Sequence, residues 1–125
     1  MTENEIAKII VNSCFRIHQE LGPGLLESVY ENVLAYELNR EKLQFETQKS
    51  IPLKYLNIKM DLGFRADIIV EDKVLVELKS VEKILPVHKK QVLTYLKISN
   101  FKLGLLINFN SDLIKNGITR IVNNL

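Results

Sequence analysis

Ile68-Ile69-Val70 and Val74-Leu75-Val76 are apolar at every position, and only the polar triplet Glu71-Asp72-Lys73 separates them. A strand that is wet on one face alternates apolar with polar residues, so two unbroken runs this close together require cover on both faces. They predict a hairpin of central strands within a layered α/β architecture, with helices closing both sides of a mixed sheet. The chain has the helices for this. Ile6, Ile9, Ile10, Ser13, Cys14, Ile17 and Leu21 recur at helical spacing and predict a helix from about Glu3 to Leu21, ended by Gly22-Pro23-Gly24. A second helix is expected from about Leu25 to Arg40, with Leu26, Val29, Tyr30, Val33 and Leu34 on its apolar side. A strand from Phe45 to Leu56 precedes the hairpin. Pro86 opens a third helix through about Ser99, and Leu103 to Ile107 reads as a further buried strand. Ile114, Ile118, Ile121, Val122 and Leu125 suggest a closing helix, although Gly117 interrupts it.

Residues 1–125 form one expected domain, because nothing in the composition marks a linker, a repeat or a low-complexity stretch. Cys14 is the only cysteine, which excludes an intramolecular disulfide and a cysteine zinc site, and fits a reducing, cytoplasmic setting. Its place in the first helical stripe reads as an inert buried thiol. The start, Met-Thr-Glu-Asn-Glu, carries acids where a secretory leader carries bases, and no apolar run is long enough to span a membrane. The net charge of +2 does not by itself point to nucleic acid. Its distribution is uneven: from Leu78 to Lys102 six lysines face the single acid Glu82. A solvated helix face is the plain reading of that run.

The hairpin also contains charge. If Glu71, Asp72 and Lys73 form its loop, Val70 pairs with Val74, and counting outward sets Asp67 opposite Glu77. Lys79 shares the face of Glu77, and the Leu78 carbonyl lies between them. Two facing carboxylates in apolar flanks repel each other and are costly to desolvate, which a divalent cation would offset. Hard oxygen donors with few nitrogens suit Mg²⁺ or Mn²⁺, with Asp67, Glu77 and the Leu78 carbonyl as ligands. Lys79 would then serve an attacking water or the charge developing on a phosphate. The alternative is a surface ion pair on an edge strand, in which Lys79 neutralises Glu77.

Asp67 followed by Glu77-Leu78-Lys79 on the next strand resembles the motif of the PD-(D/E)XK nucleases, whose αβββαβ core order this chain shares, with an extra N-terminal helix. Ala66 stands where the motif's name has proline. Gly24-Leu25-Leu26-Glu27-Ser28-Val29-Tyr30 is similar to the signature of the GxxExxY protein family, and Leu105-Leu106-Ile107-Asn108-Phe109 near the end also resembles that family. The resemblance implies that Glu27 joins the metal site or supports it, and helical spacing makes Tyr30 and Glu31 its neighbours, so that the tyrosine can cover one side of the glutamate. A first-turn acid favoured by the helix dipole is the bland alternative. Gln91 and Tyr95 resemble the QxxxY element of RecB-like members. There the glutamine holds active-site side chains and the tyrosine packs beside it or touches the nucleic acid. A half-buried glutamine and a core tyrosine would give the same spacing.

The resemblance implies a Mg²⁺-dependent phosphodiesterase acting on nucleic acid, with DNA expected ahead of RNA. Lys83 just before the third helix, and Lys89, Lys90, Lys97 and His88 on it, would then meet phosphates without reading sequence. His88 on an exposed first turn, and His18 packing near the end of the first helix, are the structural readings. A non-cleaving nucleic-acid-binding or complex-forming module on the same fold is the alternative function. The short chain leaves little room for substrate recognition, so a partner protein or a homo-oligomer would supply it.

Overall fold

The computed structural model describes residues 1–125, the side chain of Leu62 excepted. The elements are α1 (Glu3–Leu21), α2 (Glu27–Arg40), β1 (Phe45–Tyr55), β2 (Ile58–Val70), β3 (Val74–Lys79), α3 (Pro86–Ser99), β4 (Leu103–Asn108), α4 (Ile114–Gly117) and β5 (Ile118–Val122). Thr2 caps α1: its hydroxyl accepts the Glu5 N–H at 3.2 Å while Glu5 Oε1 accepts the Thr2 N–H at 2.8 Å. This satisfies donors that a helix start otherwise leaves unpaired. α2 begins at Glu27 rather than at Leu25, because Leu26 stays extended and the Leu25 N–H is taken by the Tyr30 hydroxyl at 3.2 Å.

The five strands form one mixed sheet in the order β1-β2-β3-β4-β5. Only β3 and β4 run parallel, joined by the crossover through α3. Both faces are covered, as the unbroken apolar runs require. On one face Ile6 and Ile10 of α1 and Leu34 and Leu38 of α2 join Ile68, Val76, Leu78 and Leu105 in a buried cluster. On the other, Val92 and Leu96 of α3 pack with Leu75 and Leu106. Gly104 sets that closeness, since a Cβ there would stand 2.9 Å from Val92 Cγ1. Cys14 lies in the first cluster, where burial pushes its thiol pKa up and leaves it unreactive.

The expected closing helix is not there. Only Ile114–Gly117 is helical, and Ile118–Val122 pairs antiparallel with β4 from Ile107↔Ile118 to Leu103↔Val122. β4 would otherwise present open backbone at the sheet edge, and the β-branched Ile118, Thr119, Ile121 and Val122 fit a strand better than a helix. Among the described residues no helix is long and apolar enough to cross a membrane.

Candidate active site

The β2–β3 ladder runs Val70↔Val74, Ile69↔Leu75 and Ile68↔Val76. Glu71 and Asp72 turn the chain with φ of 54° and 53°, and the Lys73 N–H donates to Val70 O at 3.0 Å. One further step of this register sets Asp67 across from Glu77, and there the backbone ladder ends. Each carboxylate instead holds the other strand: the Asp67 N–H donates to Glu77 Oε1 at 3.2 Å, and the Leu78 N–H donates to Asp67 Oδ2 at 2.8 Å. In an extended strand the N–H and C=O of one residue point the same way, so the Leu78 carbonyl also faces the opening beside Asp67. The Lys79 carbonyl points to β4, where it accepts the Phe109 N–H at 3.0 Å.

Glu77 is 7% exposed. Burial, and after it the negative charge of Asp67, pushes its pKa up to about 8, against a smaller opposing pull from Lys79. Among the described residues neither Asp67 nor Glu77 is in an ion pair. Lys79 is half-buried on the same strand, within electrostatic reach of Glu77 but not in contact with it. This is not the edge-strand ion pair of the alternative reading.

Two further residues join the site that sequence reasoning did not place there. Gln48 Nε2 donates to Glu31 Oε1 at 2.6 Å and to Asp67 Oδ1 at 3.3 Å, bridging α2 and β2. It does so from a backbone φ of 51°, a left-handed conformation that is strained for a residue with a side chain. Burial, then the Asp67 charge, raises the Glu31 pKa, while the Gln48 hydrogen bond works against the shift. Glu27, Ser28, Glu31, Gln48, Asp67 and Leu78 line one cavity of about 380 Å³.

Glu27 is exposed at the first turn of α2, and its Oε2 accepts the Ser80 N–H at 3.3 Å. Ser80 Oγ in turn donates to Leu25 O at 2.6 Å. The segment that follows Lys79 is held from the other side by buried Asn108. Its Oδ1 accepts the Val81 N–H at 3.1 Å, and its Nδ2 donates to Val81 O at 2.9 Å. Tyr30 turns its hydroxyl to the loop before α2. It is fully buried, stacks on Phe109 with centroids 4.4 Å apart, and its hydroxyl donates to Gly22 O at 2.6 Å. With the Leu25 N–H also bound to that hydroxyl, Tyr30 pins the Gly22–Leu25 loop from which Glu27 projects.

α3 brings its residues from the opposite layer. Tyr95 stacks on Phe64, with centroids 3.8 Å apart. Burial raises the phenol pKa, and the charges of Glu77 and then Asp67 raise it further, so the hydroxyl stands in the field of the carboxylates. Gln91 is exposed, and its amide lowers the phenol pKa against that shift. His88 is half-buried, with Nδ1 accepting the Leu85 N–H at 2.9 Å, so that nitrogen serves the helix start. Lys83, Lys89, Lys90 and Lys97 are exposed and in no ion pair among the described residues. His18 Nε2 donates to Ser111 O at 2.8 Å, a packing role far along the chain from the carboxylates.

The donor set fits a hard divalent cation. Among the described residues each oxygen of Asp67 has one hydrogen-bond donor and keeps a lone pair, Glu77 Oε2 accepts no hydrogen bond, and the Leu78 carbonyl faces the same opening. Among the described residues no three His, Cys, Asp or Glu side chains gather around one point. A cation held here would therefore keep waters, as Mg²⁺ does.

A model of the PD-(D/E)XK nuclease superfamily matches residues 4–121 of the chain. No curated protein and no solved structure matches it.

Proposed function

The chain belongs to the PD-(D/E)XK nuclease superfamily, and from that premise we propose that it is a divalent-metal-dependent nuclease hydrolysing nucleic-acid phosphodiester bonds. The observation that carries this reading is the exchange between Asp67 and Glu77, which replaces the ladder at the open end of β2 and β3 with two converging carboxylates. Asp67, Glu77 and the Leu78 carbonyl would hold the metal, Mg²⁺ or Mn²⁺. When bound, such an ion polarises the phosphate and lowers the pKa of a coordinated water.

The remaining work falls to the chain's own groups. Lys79, two residues beyond Glu77 on the same strand, offers its ammonium to charge developing on the phosphate and orients the attacking water. Gln48 holds Asp67 Oδ1 in place, so the ligand does not swing toward solvent between turnovers. Glu27 keeps the segment after Lys79 against α2 through the Ser80 N–H. Tyr95 and Gln91 limit solvent on the α3 side of the carboxylates. The lysines of α3 bind the phosphates of the strand, DNA ahead of RNA. The Gly24–Tyr30 string supports membership of the GxxExxY group within the superfamily, and the lone buried cysteine fits a cytoplasmic protein.

The test is a cleavage panel of single- and double-stranded DNA and RNA with Mg²⁺, Mn²⁺ or EDTA. Cleavage confined to the divalent ions supports the proposal. One observation favours a second reading, a binding module without turnover: the side chains alone do not gather three ligands. Salt-sensitive nucleic-acid binding, with no heat of Mg²⁺ or Mn²⁺ binding and no cleavage of any substrate, would decide for that reading.

A further inference from the structure

β3 pairs with β2 only over Ile68–Val70, so the longer part of the β1–β2 hairpin runs on past the site as a two-stranded ribbon. It leaves from Gln48 and Asp67 themselves. Near its base α3 covers one face, where Ile51 and Phe64 pack with Tyr95. Toward the tip nothing among the described residues covers it: Tyr55, Leu56 and Ile58 are 60%, 78% and 62% exposed. Between the two parts the register shifts, from Ile51↔Phe64 to Leu53↔Met60. Gly63 makes this possible, since a Cβ there would stand 2.0 Å from Ile51 O. Such a bulge bends and twists a ribbon away from its sheet.

The charge on this ribbon is one-sided. Lys49, Lys54, Lys59 and Arg65 face the single acid Asp61. Lys49 is engaged by Glu46 at 2.9 Å, whereas Lys54, Lys59 and Arg65 are exposed and in no ion pair among the described residues. Lys54 is the direct cross-strand partner of Lys59. Like charges at directly opposed positions destabilise a sheet, so this pair costs the free protein stability that an anion would return. Alternation puts both lysines on the face away from Tyr55 and Ile58.

We propose that this ribbon is a nucleic-acid-binding arm, in which Lys54 and Lys59 hold the phosphodiester backbone at a distance from the cleavage site and Arg65 holds it at the base of the ribbon. The inference rests on the nuclease reading for the identity of the polyanion, and on the hairpin's own geometry for the surface. Lys59 lies eight residues before Asp67, so at about 3.3 Å per residue the arm reaches roughly 25 Å from the carboxylates. A ribbon of this kind enters the major groove of a duplex, about 12 Å wide. The exposed Tyr55 offers a stacking surface to an unpaired base. A second copy of the chain fits the arm less well. β1 is a sheet edge, but Pro52 removes a donor from it and Lys49 and Lys54 add charge, features that block edge-to-edge pairing.

The test measures binding of the full chain to a short labelled DNA duplex and to the matching single strand. Fluorescence anisotropy in EDTA across a salt series, for wild type and the Lys54→Gln/Lys59→Gln variant, gives affinity and salt slope. Losing two phosphate contacts should lower the slope by about 1.8 on duplex or about 1.4 on single strand, and weaken binding roughly tenfold at moderate salt. The form that shows the loss is the one the arm holds. Thermal melting should find the variant at least as stable as wild type, because it relieves the opposed lysines, so lost binding would not reflect misfolding. Unchanged affinity and slope on both forms overturn the proposal. So does concentration-dependent self-association that Tyr55→Ser/Ile58→Ser abolishes while the lysine variant binds DNA normally. Cleavage with Mg²⁺ alongside an unchanged slope removes the arm and leaves the nuclease reading. A lowered slope in a chain that never cleaves removes the nuclease reading and supports the arm.

Discussion

Glu77 should make the metal-free protein less stable as pH rises through neutrality, the reverse of the usual carboxylate effect. The residue is 7% exposed, its carboxyl lies beside Asp67 without an ion pair among the described residues, and its pKa stands at about 8 against an ordinary value of 4.5. A carboxyl whose folded pKa is raised binds its proton more tightly in the fold than in the unfolded chain. That contribution is complete below the unfolded pKa and is lost as pH climbs toward the folded one. Within the window the slope is at most about 1.4 kcal/mol per pH unit. From pH 5.5 to 7.5 the loss is then roughly 2–3 kcal/mol, a large share of the ~5–15 kcal/mol that holds a domain together. At roughly 3–5 °C for each kcal/mol in a chain of this size, Tm should drop by about 10 °C. The assay is thermal unfolding by circular dichroism in EDTA at pH 5.5, 6.5 and 7.5, with Glu77→Gln alongside. The variant should show a much flatter profile, and Mg²⁺ should raise the wild-type Tm more at pH 7.5 than at pH 5.5. Equal pH dependence in wild type and Glu77→Gln would refute the reasoning, because the buried carboxylate would then not be the titrating group.

Gln48→Gly separates backbone strain from the amide bridge. Glycine accepts the φ of 51° freely, so stability should hold or rise by up to about 1 kcal/mol in urea unfolding, while Mn²⁺ affinity measured by calorimetry falls about tenfold with the loss of support for Asp67. Tyr30→Phe keeps the ring stacked on Phe109 but strands Gly22 O and the Leu25 N–H, and should cost roughly 1–3 kcal/mol in the same unfolding assay. Its hydrogen-exchange protection should drop first at Leu25.

The parts of the fold read most directly were those with a single solution. With Glu71-Asp72-Lys73 as the loop, Val70 has to pair with Val74, and the position of Asp67 against Glu77 follows by counting. Pro86 and the apolar spacing after it gave α3 its bounds. The closing segment had two solutions, since Ile114, Ile118, Ile121 and Val122 satisfy a helical spacing and also contain β-branched neighbours. The edge of β4, which no local pattern reveals, decided for a strand. Gln48 and Glu31 were not legible as site residues for a similar reason. A glutamine in a polar stretch of strand carries no signal until β1 lies beside β2 and its side chain meets two carboxylates. A strained φ is invisible in sequence. Tyr30 was legible as important and not as what it does, because its partners Gly22 and Leu25 are loop backbone.

The cleavage rate of the best substrate of the panel with Mg²⁺ measures most directly the proposed hydrolytic centre of Asp67, Glu77 and Lys79. Asp67→Ala and Lys79→Ala, each checked for native circular dichroism, should both fall by at least about 10²-fold, the scale on which positioned electrostatic groups contribute. Wild-type rates in both folded variants would contradict it.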